Sequence, residues 1–191
     1  MAVTYQDILS NLKANQYAPV YFLQGEESYF IDEITKYIEQ NAMEESLKGF
    51  NQVVMYGKDA DIPTILNHAK GFPMMAERKV VIVKEAQEVA GISKEQGEKM
   101  LLSYLENPQP STVLVFAYKY KVLDKRKKLG KAMAKHAVFL NAAKFYDNQL
   151  PPWVESFVKS RGKKVDQKAL QLIVDNIGNN LTRIANEIDK M

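Results

Sequence analysis

The chain has 191 residues, 46% of them apolar, and its 26 lysines and arginines against 23 aspartates and glutamates give a formal charge of +3. At roughly 100–200 residues per domain, this length holds one domain and part of a second, with core enough to need no disulfide or metal staple. The lack of cysteine excludes disulfides, thiolate nucleophiles and cysteine-held zinc or iron–sulfur sites.

The N-terminal segment has no basic n-region followed by an apolar stretch, so it does not read as a signal peptide. The longest apolar runs, such as Val80–Val83 and Val113–Ala117, fall far short of the ~20 residues of a membrane span. A soluble protein in a reducing compartment is expected.

Tyr5, Ile8, Leu9 and Leu12 follow a helical spacing, with Thr4 placed as N-cap. Val20–Gln24 reads as a short buried strand stopped by Gly25. Phe30, Ile34, Tyr37 and Ile38 mark a helical face running to about Asn41, with Ser28 as its N-cap. Asn51–Tyr56 is the second strand, and Ile62, Ile65, Leu66 and Ala69 form the face of a helix capped by Asp61. Lys79–Val83 is a third strand, β-branched at four consecutive positions, as expected where both sheet faces are covered. Ser93 and Gln96 are spaced as a capping box opening a helix to about Glu106. After the Asn107–Pro110 loop, Thr112–Ala117 is the fourth strand, the basic stretch 119–135 continues as a helix, and Ala137–Asn141 is the fifth strand.

Strands separated by helices imply parallel pairing with right-handed crossovers, hence a five-stranded doubly wound sheet. From Lys144 strand-like runs cease, and three amphipathic helices follow, broken at Arg161-Gly162 and Gly178-Asn179. The expected division is 1–143 and 144–191. The last helix carries no stop signal, so the natural protein is expected to continue beyond it.

Charge is concentrated locally. Residues 119–135 carry eight basic side chains and one acid, Asp124, a local +7 that leaves the rest of the chain at −4. The stretch reads either as a solvated helix face, with Val122, Leu129 and Met133 inward, or as a contact to a phosphate backbone.

The catalytic chemistry that such a sheet invites is not written into the chain. A phosphate-cradling loop needs several glycines, a lysine and a Ser/Thr for magnesium. The turn after the first strand, Gln24-Gly25-Glu26-Glu27-Ser28-Tyr29-Phe30, has one glycine, no lysine and two carboxylates. Lys84-Glu85 stands where a magnesium-holding aspartate would follow the third strand. His68 and His136 fall in separate helices with no partner for general-base work. No catalytic residue, metal or cofactor is expected.

Four blocks carry a family resemblance: Val20–Glu27; Phe72-Pro73-Met74-Met75-Ala76-Glu77-Arg78-Lys79 with the strand after it; Leu123-Asp124-Lys125-Arg126-Lys127-Lys128; and Asn180–Lys190. In order and spacing the chain resembles the N-terminal two domains of the delta subunit of bacterial DNA polymerase III, the clamp-loader subunit that opens the sliding clamp. The resemblance implies an AAA+-like (P-loop NTPase-type) α/β domain that has lost its ATP site, then a three-helix lid domain without the C-terminal collar. It implies DNA replication in a bacterial cytoplasm, as a non-catalytic part of a DNA-directed DNA polymerase (nucleotidyltransferase) assembly. Its implied partners are the sliding clamp (beta subunit), the gamma/tau and delta prime loader subunits through the collar, and primed DNA indirectly, with no membrane.

The family's clamp contact maps onto Met74 and Met75, with Phe72 and Pro73 beside them; a Leu-Phe-like pair is commoner there. Read from the residues alone, Gly71–Met75 is an apolar run that Pro73 keeps from extending the preceding helix, and it packs either on the sheet as core or on a partner. Lys125, Arg126, Lys127 and Lys128 are the candidate DNA-backbone contacts. Two alternatives stand beside this reading. One is a nucleotide-dependent AAA+ ATPase or switch; the other is a stand-alone DNA-binding protein using the basic 119–135 helix.

Overall fold

The computed structural model describes residues 3–92 and 94–190. In chain order the elements are α1 (Tyr5–Lys13), β1 (Val20–Gly25), α2 (Ser28–Asn41), α3 (Glu45–Asn51), β2 (Gln52–Tyr56), α4 (Ile62–Lys70), β3 (Lys79–Lys84) and α5 (Glu95–Glu106). There follow β4 (Thr112–Lys119), α6 (Lys128–His136), β5 (Val138–Ala142), α7 (Leu150–Ser160), α8 (Gln167–Ile177) and α9 (Leu181–Lys190). Contacts divide the chain into two compact units, one ending at Ala143 and the other beginning at Lys144.

In the first unit the strands pair in parallel in the order β5-β1-β4-β3-β2. This is the α/β sheet expected from the alternation of periods. β3 and β4 lie inside the sheet, and Val80, Val81, Ile82 and Val83 are all buried, which accounts for their unbroken apolar run. On one face Phe22, Val81, Leu114 and Phe116 pack against Ile65 of α4, Leu101 of α5 and Met133 of α6. On the other, Leu23, Ile82 and Val115 meet Ile8 of α1 and Ile31, Ile34 and Ile38 of α2. β4 and β5 flank β1, and the connections leaving β1 and β4 run to opposite edges of the sheet, toward β2 and β5. The carboxyl end of β1 therefore opens on the crevice where such sheets bind ligands.

The caps at Thr4 and Asp61 form as expected: each side chain accepts the amide three residues on, and Asp7 completes a box with Thr4. Three expectations are corrected. The N-cap of α2 is Glu27, not Ser28, because its Oε1 reaches the Tyr29 amide at 3.1 Å. Asn51 closes α3, a short helix the hydrophobic pattern does not signal, and β2 begins one residue later. The basic stretch is helical only from Lys128: Lys119 still belongs to β4, paired with Gly25. Between them the buried Gln24 side chain takes the Leu123 amide at 2.8 Å, and Asp124 turns the chain by accepting from the Lys127 and Arg126 amides. Val122 accordingly points outward, 58% exposed, while Leu129 and Met133 are buried. The Ser93 cap lies outside the described residues; α5 starts at Glu95.

In the second unit α7 buries Leu150, Val154 and Val158, and α9 buries Leu181, Ile184, Ala185 and Ile188. Asp166 caps α8, and the Asn180 side-chain oxygen accepts the Arg183 amide. The expected breaks fall where the chain takes positive φ, at Gly162 and Gly178.

Candidate functional site

Two places on the first unit merit comparison: the crevice at the end of β1 and the turn between α4 and β3. In the crevice, Gly25 has φ 134°, and a Cβ there would strike the Ala142 carbonyl group, 2.6 Å from its carbon. The glycine thus serves the close approach of β5 rather than a phosphate. The Ala142 carbonyl accepts the Glu27 amide at 3.2 Å and the Gly25 carbonyl accepts the Tyr120 amide at 2.9 Å. The Glu27 amide, a donor that could face an anion, is instead tied to β5.

Charged side chains fill what remains. The Glu27 carboxylate sits at the start of α2, and burial pushes its pKa up, against the opposing hydrogen bond from the Tyr29 amide. Lys119 Nζ lies 2.6 Å from Asp32 and 3.2 Å from Glu85. Burial draws the Lys119 ammonium down, but hydrogen bonds and charge from Asp32 and then Glu85 outweigh it, leaving a raised pKa. Glu85, at a left-handed φ of 52°, is held by Lys119 and by Gln87 Nε2 at 2.6 Å. The lysine here neutralises the protein's own carboxylates. Among the described residues no group of three or more His, Cys, Asp or Glu side chains could hold a metal ion.

The turn differs in kind. Phe72 is 77% exposed, Met74 61% and Met75 96%, so the apolar run does not fold onto the sheet as core. Pro73, between them, is half-buried. The backbone beneath is fixed. Asn51, fully buried, accepts the Met74 amide on Oδ1 at 2.6 Å and donates from Nδ2 to the Met74 carbonyl at 2.9 Å. Met75 then takes a left-handed φ of 54°, an unfavourable conformation for a residue with a Cβ. Arg78 anchors the far end, donating to Asn15 Oδ1 at 2.9 Å and lying 4.4 Å from the Tyr17 ring centroid.

The basic candidates are scattered in role. Arg126 is turned onto Asp124, with Nε and Nη2 at 3.0 and 2.9 Å from its two oxygens, and Lys125 lies over the Phe139 ring. Lys127 and Lys128 open α6, whose Leu129 amide is accepted by Glu98. Lys119 and Lys121 face Asp32, Glu85 and Glu88. The eight cations do not form one continuous helical face.

Residues 21–143 match the family model described as DNA polymerase III, delta subunit. The chain belongs to the DNA polymerase III delta-subunit family. It is 32% identical over 189 residues to DNA polymerase III subunit delta of Bacillus subtilis (strain 168), spanning 97% of this chain and 54% of that protein. A solved Bacillus subtilis DNA clamp loader delta protein superposes with TM-score 0.82 at 30% identity, over 98% of this chain and 56% of that one. A gamma-subunit-related protein of Thermotoga maritima, 15% identical, shares the fold with TM-score 0.53 over 95% of this chain and 57% of its own. The chain spans about half the length of the delta proteins it matches.

Sequence reading missed Asn51 as a support of the turn, and the Lys119, Asp32 and Glu85 cluster. Neither had a local signature. Asn51 reaches a main chain 23 residues away, and Lys119 draws in carboxylates from α2 and from the turn after β3.

Proposed function

We propose that this chain is the clamp-engaging part of a clamp-loader delta subunit, working in DNA replication in a bacterial cytoplasm. Residues 1–143 are an AAA+-like domain without a functional phosphate loop and 144–191 a helical lid domain. The observation that carries the reading is the exposed Phe72-Pro73-Met74-Met75 turn on a fixed backbone. The family assignment supports a sliding clamp as the partner. The other clamp-loader subunits are its further partners in this reading.

In this mechanism Met74 and Met75 enter an apolar pocket near a clamp subunit interface. Burying each supplies roughly 1.5–3 kcal/mol, together on the order of the ~5.5 kcal/mol needed to carry a two-state equilibrium from 1:99 to 99:1. Only the part of that energy gained in the open clamp and not in the closed one drives opening. The chain itself performs no catalysis and needs no nucleotide for this step. The internally neutralised crevice supports that reading over an ATP-dependent switch. Of the four candidate DNA contacts, Lys127 and Lys128 stand at the start of α6 and are the ones assigned here to a DNA phosphate backbone.

The test is affinity for the cognate clamp, without nucleotide, of the wild type and of the Met74→Ser, Met75→Ser variant. The variant is expected to fold normally and bind at least ~100-fold more weakly, about 2.8 kcal/mol at ~1.4 kcal/mol per decade. Equal affinity would move the contact elsewhere, and ATP-dependent binding would favour the switch.

A further inference from the structure

We propose that Asn51 is a positioning residue of the clamp-contact turn, an inference that rests on the reading of Met74 and Met75 given above. From Phe72 to Arg78 no amide donates to a main-chain carbonyl among the described residues; the flanking bonds are Gly71 to His68 and Lys79 to Ser111. The turn lacks a ladder of its own. Asn51 stands in for one by satisfying both main-chain groups of a single residue, Met74, with both ends of one amide.

The Asn51 Nδ2 also donates to the Leu47 carbonyl at 3.0 Å, one helical turn earlier in α3. That third bond fixes the amide's orientation, so Oδ1 faces the Met74 N–H and Nδ2 its C=O. Side-chain oxygen and nitrogen are both required: Asp lacks the donors, while Ser and Ala cannot span the two groups. The side chain is wholly buried, so water does not compete for these bonds. The next residue, Met75, leaves in the left-handed region and projects its side chain almost fully into solvent. Strained backbone persists where its surroundings over-determine it, and Asn51 is the determinant on one side, Arg78 on the other. A turn ordered before encounter spares the complex the entropy of ordering it.

The experiment is a double-mutant cycle on this chain with the cognate clamp, combined with hydrogen exchange at the Met74 amide. Asn51→Ala is expected to bind the clamp about tenfold more weakly, as measured on folded protein, since an unheld turn must be ordered on binding. On the Met74→Ser, Met75→Ser background the same substitution is expected to change residual binding less than twofold. Wild-type Met74 N–H is expected to exchange at least about 100-fold more slowly than an open-chain amide, because it is bonded inside the protein. An Asn51→Ala affinity within twofold of wild type, or equal losses in both backgrounds, overturns the proposal. Should Asn51→Ala not fold, Met74 exchange in the wild type decides: open-chain exchange overturns it and protection upholds the hold on the turn. Wild-type affinity in the Met74→Ser, Met75→Ser variant removes the underlying contact instead, leaving Met74 exchange to report on Asn51 independently.

Discussion

Gly25 separates a phosphate-loop remnant from a packing requirement, and its replacement by alanine tests which it is. The added Cβ would lie against the Ala142 carbonyl group, 2.6 Å from its carbon and 2.8 Å from the Ala142 nitrogen, both in backbone that cannot rotate away. β5 must shift from β1, loosening the Glu27 to Ala142 hydrogen bond. A non-glycine residue held at a φ of 134° adds roughly 1–3 kcal/mol of strain, and overpacking a close contact costs a further ~1–3 kcal/mol. The expected loss is about 2–6 kcal/mol against a total stability of roughly 5–15 kcal/mol for a domain. With a urea slope of roughly 1–3 kcal/mol/M, the midpoint should fall by about 1–3 M with the slope unchanged. Circular dichroism during urea titration measures this, and ATP should shift neither protein. A midpoint within about 0.3 M of wild type would show that β5 yields freely and that close approach is not what this glycine secures.

Replacing Lys119 by methionine leaves Asp32 and Glu85 facing each other without their cation; an ion pair between surface and core should cost about 1–2 kcal/mol in urea unfolding. The raised Lys119 pKa means its contribution is fully present below the ordinary lysine value of ~10.4 and is lost as pH rises through the higher folded value. The gap between the two proteins should therefore hold steady from neutral pH to about pH 9 and narrow above about 10.4; a gap that widens there would contradict the assignment. Asp124→Ala frees the Arg126 guanidinium and the Arg126 amide, so exchange at the Arg126 amide should quicken while the melting temperature moves by only a few degrees. Lys127→Ala with Lys128→Ala should reduce the salt slope of primed-DNA binding by close to two if each meets a phosphate; an unchanged slope would assign both lysines to solvent.

Much of the sheet was legible because its determinants are local. The β-branched run Val80–Val83 and the spacing of Ile62, Ile65, Leu66 and Ala69 each fix an element with no reference to the rest of the chain. α3 was not, since its seven residues include Gly49, expose Phe50 and bury Asn51, leaving no apolar stripe to read. The basic segment misled for the opposite reason. Lysines are compatible with a helix, but the buried Gln24 captures the Leu123 amide and Asp124 closes a turn before α6 can start. At the turn before β3, composition and Pro73 located an apolar run that could not extend α4. Its exposure depends on tertiary bonds from Asn51 and Arg78 that sequence spacing does not encode.

In the proposed function the Phe72–Met75 turn enters the clamp without nucleotide. A photo-crosslinking side chain at position 75, incubated with the cognate sliding clamp in the absence of ATP, tests it most directly when adducts are mapped by mass spectrometry. One dominant adduct is expected on an apolar pocket beside a clamp subunit interface, and none from the same probe at position 172, exposed in the second unit. Adducts from position 172 with none from position 75 would contradict it.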